Sequence, residues 1–283
     1  MIRAHLSYCW HRLRSPRWLD FVDIGLGIEH RERRFRGEWA PHLARSRGFV
    51  QQALAEGGEE VVVLGAGRLF DVPIEWLVSR FSRVVLVDVD PRIVARSLSA
   101  TRRFGTRVEV QQAEVTGVFS AWTQALKSVG EGSDDEIVET LCSLKAPSPF
   151  WSSGSVVSMN LLSQLGVMWR DRVQRIVGTG RMSLSPIAEA TAHSIIRLEK
   201  GHASGLAAAS QAVLLADRFF ITASEGAVAW EVEDALYGEW PEQLPGREAW
   251  LCGSWLWHLV PMSGEVRGEG SIHEVWARAF RKR

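Results

Sequence analysis

The run Glu59-Glu60-Val61-Val62-Val63-Leu64-Gly65-Ala66-Gly67 constrains this chain more than any other segment. Continuous β-branched residues without alternation mark a strand buried on both faces, which occurs in parallel sheets covered by helices. The closing glycines permit a tight turn. They also let backbone come close to a ligand, since no Cβ stands in the way. The expected strand covers 60–64 and lies at the centre of its sheet. A plain turn with no ligand remains the alternative on this segment alone.

The same alternation of short apolar runs and helical patterns continues on both sides. Before the strand, Leu43, Val50 and Leu54 make an apolar stripe over 41–55, with Pro41 suited to a first turn and Gly57-Gly58 as a stop. After it, Asp71 is placed to cap a helix, with Pro73 in the first turn and Ile74, Leu77, Val78 and Phe81 facing inward. A second strand follows at about 83–88. Asp90 before Pro91 reads as the next N-cap, and Ile93, Val94 and Leu98 as the buried stripe. A third strand is expected at 107–112, followed by a helix carrying Phe119, Trp122 and Leu126. Residues 128–155 read as a loop excursion around one short helix at 134–144. A fourth strand falls at 155–160, a helical stretch at 161–205, and a fifth strand at 212–221, interrupted at Asp217-Arg218. The last two runs, AWLCGSWLWHLV and HEVWARAF, flank a Gly-rich segment from Ser263 to Gly270 and read as an antiparallel hairpin. The expectation is an α/β fold. It has a three-layer Rossmann-like sheet with helices on both faces, mostly parallel, with a C-terminal antiparallel β-hairpin. Residues 1–56 form an N-terminal helical cap, and 57–283 the main domain.

Charge narrows the partners. The net charge is zero over 283 residues, so no global field draws the chain to nucleic acid or a membrane. Residues 1–50 nevertheless carry ten arginines against five acids, and 131–139 carry five acids. A solvated basic face and an acidic surface loop explain both, and an anionic substrate or RNA near the N-terminus is the sharper alternative. Cys9, Cys142 and Cys252 are far apart and form no CxxC pair, which fits a reducing cytoplasm and argues against a metal cluster. The longest apolar run is too short to span a bilayer and is broken by Gly253 and His258.

Four places carry candidate chemistry. The first is the turn Gly65-Ala66-Gly67. The second is Asp88, 23 residues after Gly65, where an acid ends an apolar strand. A carboxylate there needs a reason, and accepting both hydroxyls of a ribose supplies one. Asp90 competes for that role, but capping already accounts for it. The third is Glu114, just after the third strand, with an exposed loop acid as its alternative. The fourth is Asn160 at the end of the fourth strand, with Gln164 one turn further on. His42 is the candidate general base, against the alternative of a surface histidine at a helix start; neighbouring Trp39 is a candidate substrate contact. No HExxH or other metal spacing is present, so no metal is expected.

VVVLGAG, VVLVDVD, AEVTG, SMNLLSQ and the terminal hairpin together resemble motifs I to IV and the tail of the class I S-adenosylmethionine-dependent methyltransferases, over roughly 45–283. The resemblance implies S-adenosyl-L-methionine as cofactor. Its methionine end would lie over Gly65 to Gly67, its ribose on Asp88, and its adenine beside Val89 and near Glu114. Its methyl would point toward Asn160 and the N-terminal segment. Two positions depart from the family pattern. Val63 stands where an acid is usual, and Leu69 replaces the third glycine. Asn160 is followed by two leucines rather than two prolines, which disfavours methylation of a base amino group. The expected activity is methyl transfer to a small-molecule acceptor. Alternatives are an RNA or protein methyltransferase, and a non-catalytic protein on the same fold. A nicotinamide-dependent oxidoreductase is disfavoured, because Phe70 stands where the dinucleotide fingerprint needs a glycine.

Overall fold

A computed structural model describes residues 19–147, 154–183, 185–224, 230–262 and 269–282, with side chains from Gly27 onward and without those of Ser185 and Ser224. The first part of the expected cap and the hairpin turn at 263–268 lie outside these residues. The elements in chain order are α1 (Leu19–Arg34), α2 (Arg36–Ala53), β1 (Gly58–Leu64), α3 (Ile74–Arg80), β2 (Phe81–Asp88), α4 (Pro91–Thr101), β3 (Val108–Gln112), α5 (Phe119–Val129) and α6 (Asp134–Ser143). They continue as β4 (Ser155–Met159), α7 (Leu161–Val177), α8 (Thr179–Met182), α9 (Ser185–Leu206), β5 (Gln211–Ser224), β6 (Glu231–Asp234), β7 (Arg247–Val260) and β8 (Glu269–Lys282).

The strands form one sheet in the order β3-β2-β1-β4-β5-β8-β7, with β6 beside β5. The first five run parallel. β8 then inserts antiparallel between β5 and β7. β1 lies inside the sheet because Val61 to Leu64 are buried on both faces. The sheet splits its side chains between two layers. Val61, Val63, Val84, Leu86, Trp255 and Trp257 pack against Phe49 and Val50 of α2 and Leu77 and Val78 of α3. Val62, Leu64, Val85, Val87 and Phe280 pack on the opposite side with Leu162 of α7 and Leu206 of α9. α2 therefore shares its core with the sheet.

Several local expectations change. α2 begins at Arg36, so Pro41 lies inside the helix rather than in its first turn. Asp71 caps nothing: α3 starts at Ile74 with Pro73 as N-cap and no side-chain cap bond. Leu98, expected to face inward, is 51% exposed. The helical stretch after β4 divides into three helices, and β6 gives no sign in its acidic, exposed sequence. Asp90 does cap α4, accepting from Arg92 N at 2.8 Å. The interruption in β5 is real: the register with β8 shifts between Asp217 and Phe219. The acidic loop starts α6 with a capping box of Ser133 and Glu136, and Arg181 holds Asp134 and the Gly130 and Gly132 carbonyls.

Candidate functional site

The carboxyl ends of β1, β2 and β4 open into a crevice of about 1190 Å³, counting its mouth. In open α/β sheets ligands bind at this edge. α1 and α2 close it from the other side through Ile28, Trp39, His42 and Leu43. The walls bring together most of the residues singled out from the sequence: Trp39, His42, Gly65, Gly67, Asp88, Val89, Glu114, Asn160 and Gln164. Ala66 is not among them. Its side chain is 1% exposed in the core, and its N–H donates to Val87 O.

The glycine turn is shaped by backbone conformation. Gly65 and Gly67 have φ of +70° and +52°. A Cβ on Gly65 would sit 2.8 Å from Met159 O, whereas one on Gly67 would meet nothing nearer than 3.8 Å. Leu69 has φ +60°, so the loop keeps a glycine-like backbone where the side chain is not glycine. Holding leucine there costs roughly 1–2 kcal/mol. Residues 68–73 separate this turn from α3, so the helix N-terminus does not directly follow the glycines.

Asp88 ties the turn to the end of β2. One carboxylate oxygen accepts from Gly67 N at 2.9 Å and the other from Asp90 N at 2.9 Å. Burial pushes its pKa above the ordinary value, against the pull of these N–H groups. Each oxygen keeps a further lone pair. Glu114 is held similarly: its oxygens accept from Thr116 N at 2.7 Å and Phe119 N at 3.2 Å, at the start of α5. Asn160 has φ +52° and no capping bond. Its Oδ1 is buried without a hydrogen-bond partner among the described residues. A buried carbonyl oxygen in that state is costly unless a donor reaches it.

His42 is not the surface residue one alternative allowed. It is 2% exposed and stacks on Trp257 at 4.2 Å. Trp255 Nε1 donates to His42 Nδ1 at 3.0 Å. An indole N–H only donates, so Nδ1 carries no proton and the neutral ring holds it on Nε2. Burial lowers the His42 pKa to about 4. The expected general base is therefore corrected: at neutral pH Nε2–H is a donor, and the one basic nitrogen faces Trp255. A folded-state pKa below 6.5 stabilises the fold above that pH and loses its contribution as pH falls toward 4. We expect ¹⁵N NMR to show the His42 ring neutral and protonated on Nε2 at pH 5.5; half-protonation near pH 6.5 would refute this.

Sequence reasoning missed Asp71, Arg68, Ile28 and Trp257, all of which line the crevice. Glu29 of α1 is 5% exposed and pairs with Arg68 at 2.5 Å and with Arg96, which fastens α1 to the glycine loop. Arg33 pairs with Glu29, and Arg36 with Glu32 at 2.9 Å. These arginines of the basic segment face outward rather than into the crevice.

No family model matches the chain, and no curated protein matches it either. Solved structures do resemble it. The N-methyltransferase NodS from Bradyrhizobium japonicum, in complex with S-adenosyl-L-homocysteine, is 11% identical with a TM-score of 0.34, covering 84% of this chain and 86% of NodS. TehB from Haemophilus influenzae is 11% identical with a TM-score of 0.41, covering 83% of this chain and 62% of TehB. At such values these likenesses say nothing about what the chain acts on. The fold rests on its own strand order. Five parallel strands with β1 central, closed by an antiparallel β8 between β5 and β7, give this chain a mostly parallel Rossmann-like α/β fold, the arrangement that the resemblance of its motifs to the class I S-adenosylmethionine-dependent methyltransferases implies.

Proposed function

We propose that the chain transfers a methyl group from S-adenosylmethionine to a small-molecule acceptor. The observation that carries this reading is Asp88. Its carboxylate is oriented by one backbone N–H on each oxygen, and the residue lines the crevice at the end of β2. Free lone pairs on both oxygens suit a pair of ribose hydroxyls. The other donors and acceptors fit the same ligand. The Asn160 Oδ1, unpartnered among the described residues, suits the ammonium of an amino-acid end, and Gly67 leaves open space on the same crevice wall. Val89 and Glu114 line the same crevice and would flank the adenine.

When bound, S-adenosylmethionine supplies an electrophilic methyl on a sulfonium. The residues of the chain then have two tasks, alignment of the acceptor and exclusion of water. α1 and α2 roof the crevice, which favours a small acceptor over RNA or a protein chain. Reading the chain as a non-catalytic binder predicts the same binding without turnover.

Melting temperature measured with millimolar S-adenosylmethionine, S-adenosylhomocysteine or NAD tests the proposal. A ligand near 100 times its Kd should raise Tm by roughly 5 °C. We expect that rise with both sulfur nucleosides and not with NAD. No rise with either sulfur nucleoside would sink the reading.

A further inference from the structure

We propose that the end of the crevice beneath α2 is the acceptor subsite, that it takes a small amine bearing an oxygen function, and that the Asp71 carboxylate holds and deprotonates that amine. This rests on the methyltransferase reading and names its substrate class.

Charge is the first reason. The one cation lining the crevice among the described residues is Arg68, and Glu29 holds it at 2.5 Å. The other charged lining residues are Asp71, Asp88, Asp90 and Glu114. Asp88, Asp90 and Glu114 have backbone N–H groups on their carboxylates. Among the described residues, the Asp71 carboxylate has a hydrogen bond only from its own backbone, and it does not cap α3. Among the described residues, an acidic acceptor would meet Asp71 with no available cation lining the crevice.

The surrounding groups are the second reason. Trp39 and Trp257 meet edge to face at 4.8 Å, and His42 stacks on Trp257. Trp39 Nε1 is engaged by Leu259 O at 3.0 Å. Trp257 is 6% exposed, and its Nε1 has no partner among the described residues. That N–H and the His42 Nε2–H are donors, and they call for a hydroxyl or carbonyl oxygen on the ligand. Behind this wall stand Asp217 of β5 and His273 of β8, 3.2 Å apart. Asp217 opposes ionisation of Asp71, and Arg47 of α2, exposed and bonded to Phe70 O, favours it. Burial prevails and raises the Asp71 pKa to about 6, within the range useful to a proton acceptor.

The chemistry balances. The bound ammonium first gives one proton to the Asp71 carboxylate. The freed nitrogen lone pair then forms the new N–C bond as the C–S bond breaks, and the C–S electron pair stays on sulfur as a thioether. Positive charge thereby moves from sulfur to nitrogen, the product leaves as the methylated ammonium, and Asp71 returns its proton to solvent.

Calorimetric titration tests this with tyramine, 4-hydroxyphenylacetate and 4-hydroxyphenethyl alcohol on protein saturated with S-adenosylhomocysteine. Tyramine should bind most tightly. Asp71→Asn should weaken it roughly ten- to a hundredfold, as expected for losing a charged hydrogen-bond partner. The same variant should bind S-adenosylhomocysteine normally, which also shows that it folds. Trp257→Phe removes the unpartnered N–H and should weaken tyramine by a smaller factor; it decides the matter if Asp71→Asn does not fold. If S-adenosylhomocysteine binds but tyramine is no better than the carboxylate, or Asp71→Asn binds it unchanged, the inference is wrong and the functional reading survives. If S-adenosylhomocysteine itself does not bind, both fail together.

Discussion

Asp88→Asn should weaken S-adenosylhomocysteine binding by roughly a hundredfold or more, measured by calorimetry. Two losses combine. The proposed ribose hydroxyls lose a charged acceptor, and each such bond contributes about 1.5–3 kcal/mol. The amide NH₂ must also face either Gly67 N or Asp90 N, both donors that the carboxylate now accepts at 2.9 Å. One buried N–H is then left unpaired at a cost of about 1–3 kcal/mol, and the glycine turn loosens. Asp90→Asn separates the roles. Asp90 caps α4 and pairs with Arg92 at 2.5 Å, so this change should lower Tm and leave affinity largely intact. The reverse pattern would move the ribose contact to Asp90.

Gly65→Ala should cost about 2–5 kcal/mol of stability, whereas Gly67→Ala should chiefly impair binding. The two glycines look alike in the sequence, and both have positive φ, which costs alanine about 1–2 kcal/mol. They differ in what lies beyond the missing Cβ. At Gly65 a methyl would stand 2.8 Å from Met159 O and 2.8 Å from Leu161 Cγ. The carbonyl belongs to the end of β4 and cannot swing aside, so overpacking adds roughly 1–3 kcal/mol. At Gly67 the methyl has open space and sits on the crevice wall. Thermal melts with and without S-adenosylhomocysteine should therefore cross over. Gly65→Ala melts lower in both states, and Gly67→Ala melts slightly lower and gains much less from the ligand. Equal losses of stability in the two variants would contradict this account.

The parallel strands and the closing hairpin could be read from the sequence because burial on two faces demands continuous apolar runs, as in Val61 to Leu64 and Val84 to Val87. Asp88, Glu114 and Asn160 were visible for the complementary reason: polar residues at the ends of such runs require an explanation. Asp71 was misread, since an acid two residues ahead of Pro73 looks like a cap and only the late start of α3 at Ile74 shows that it is not. His42 was recognised as notable, but not its state. Its tautomer depends on Trp255, 213 residues away.

The sequence by itself determined the layered α/β fold, the glycine turn and the acid at the end of the second strand. These follow from local periodicity and from spacing along one βαβ unit. Only the tertiary structure decided what the crevice can do. It packs α2 against β7, so that a histidine expected as a base becomes a donor, and it leaves Asp71 uncapped on the crevice wall. Protonation and hydrogen-bond roles depend on neighbours that the fold brings together from distant parts of the chain, and no local pattern encodes them.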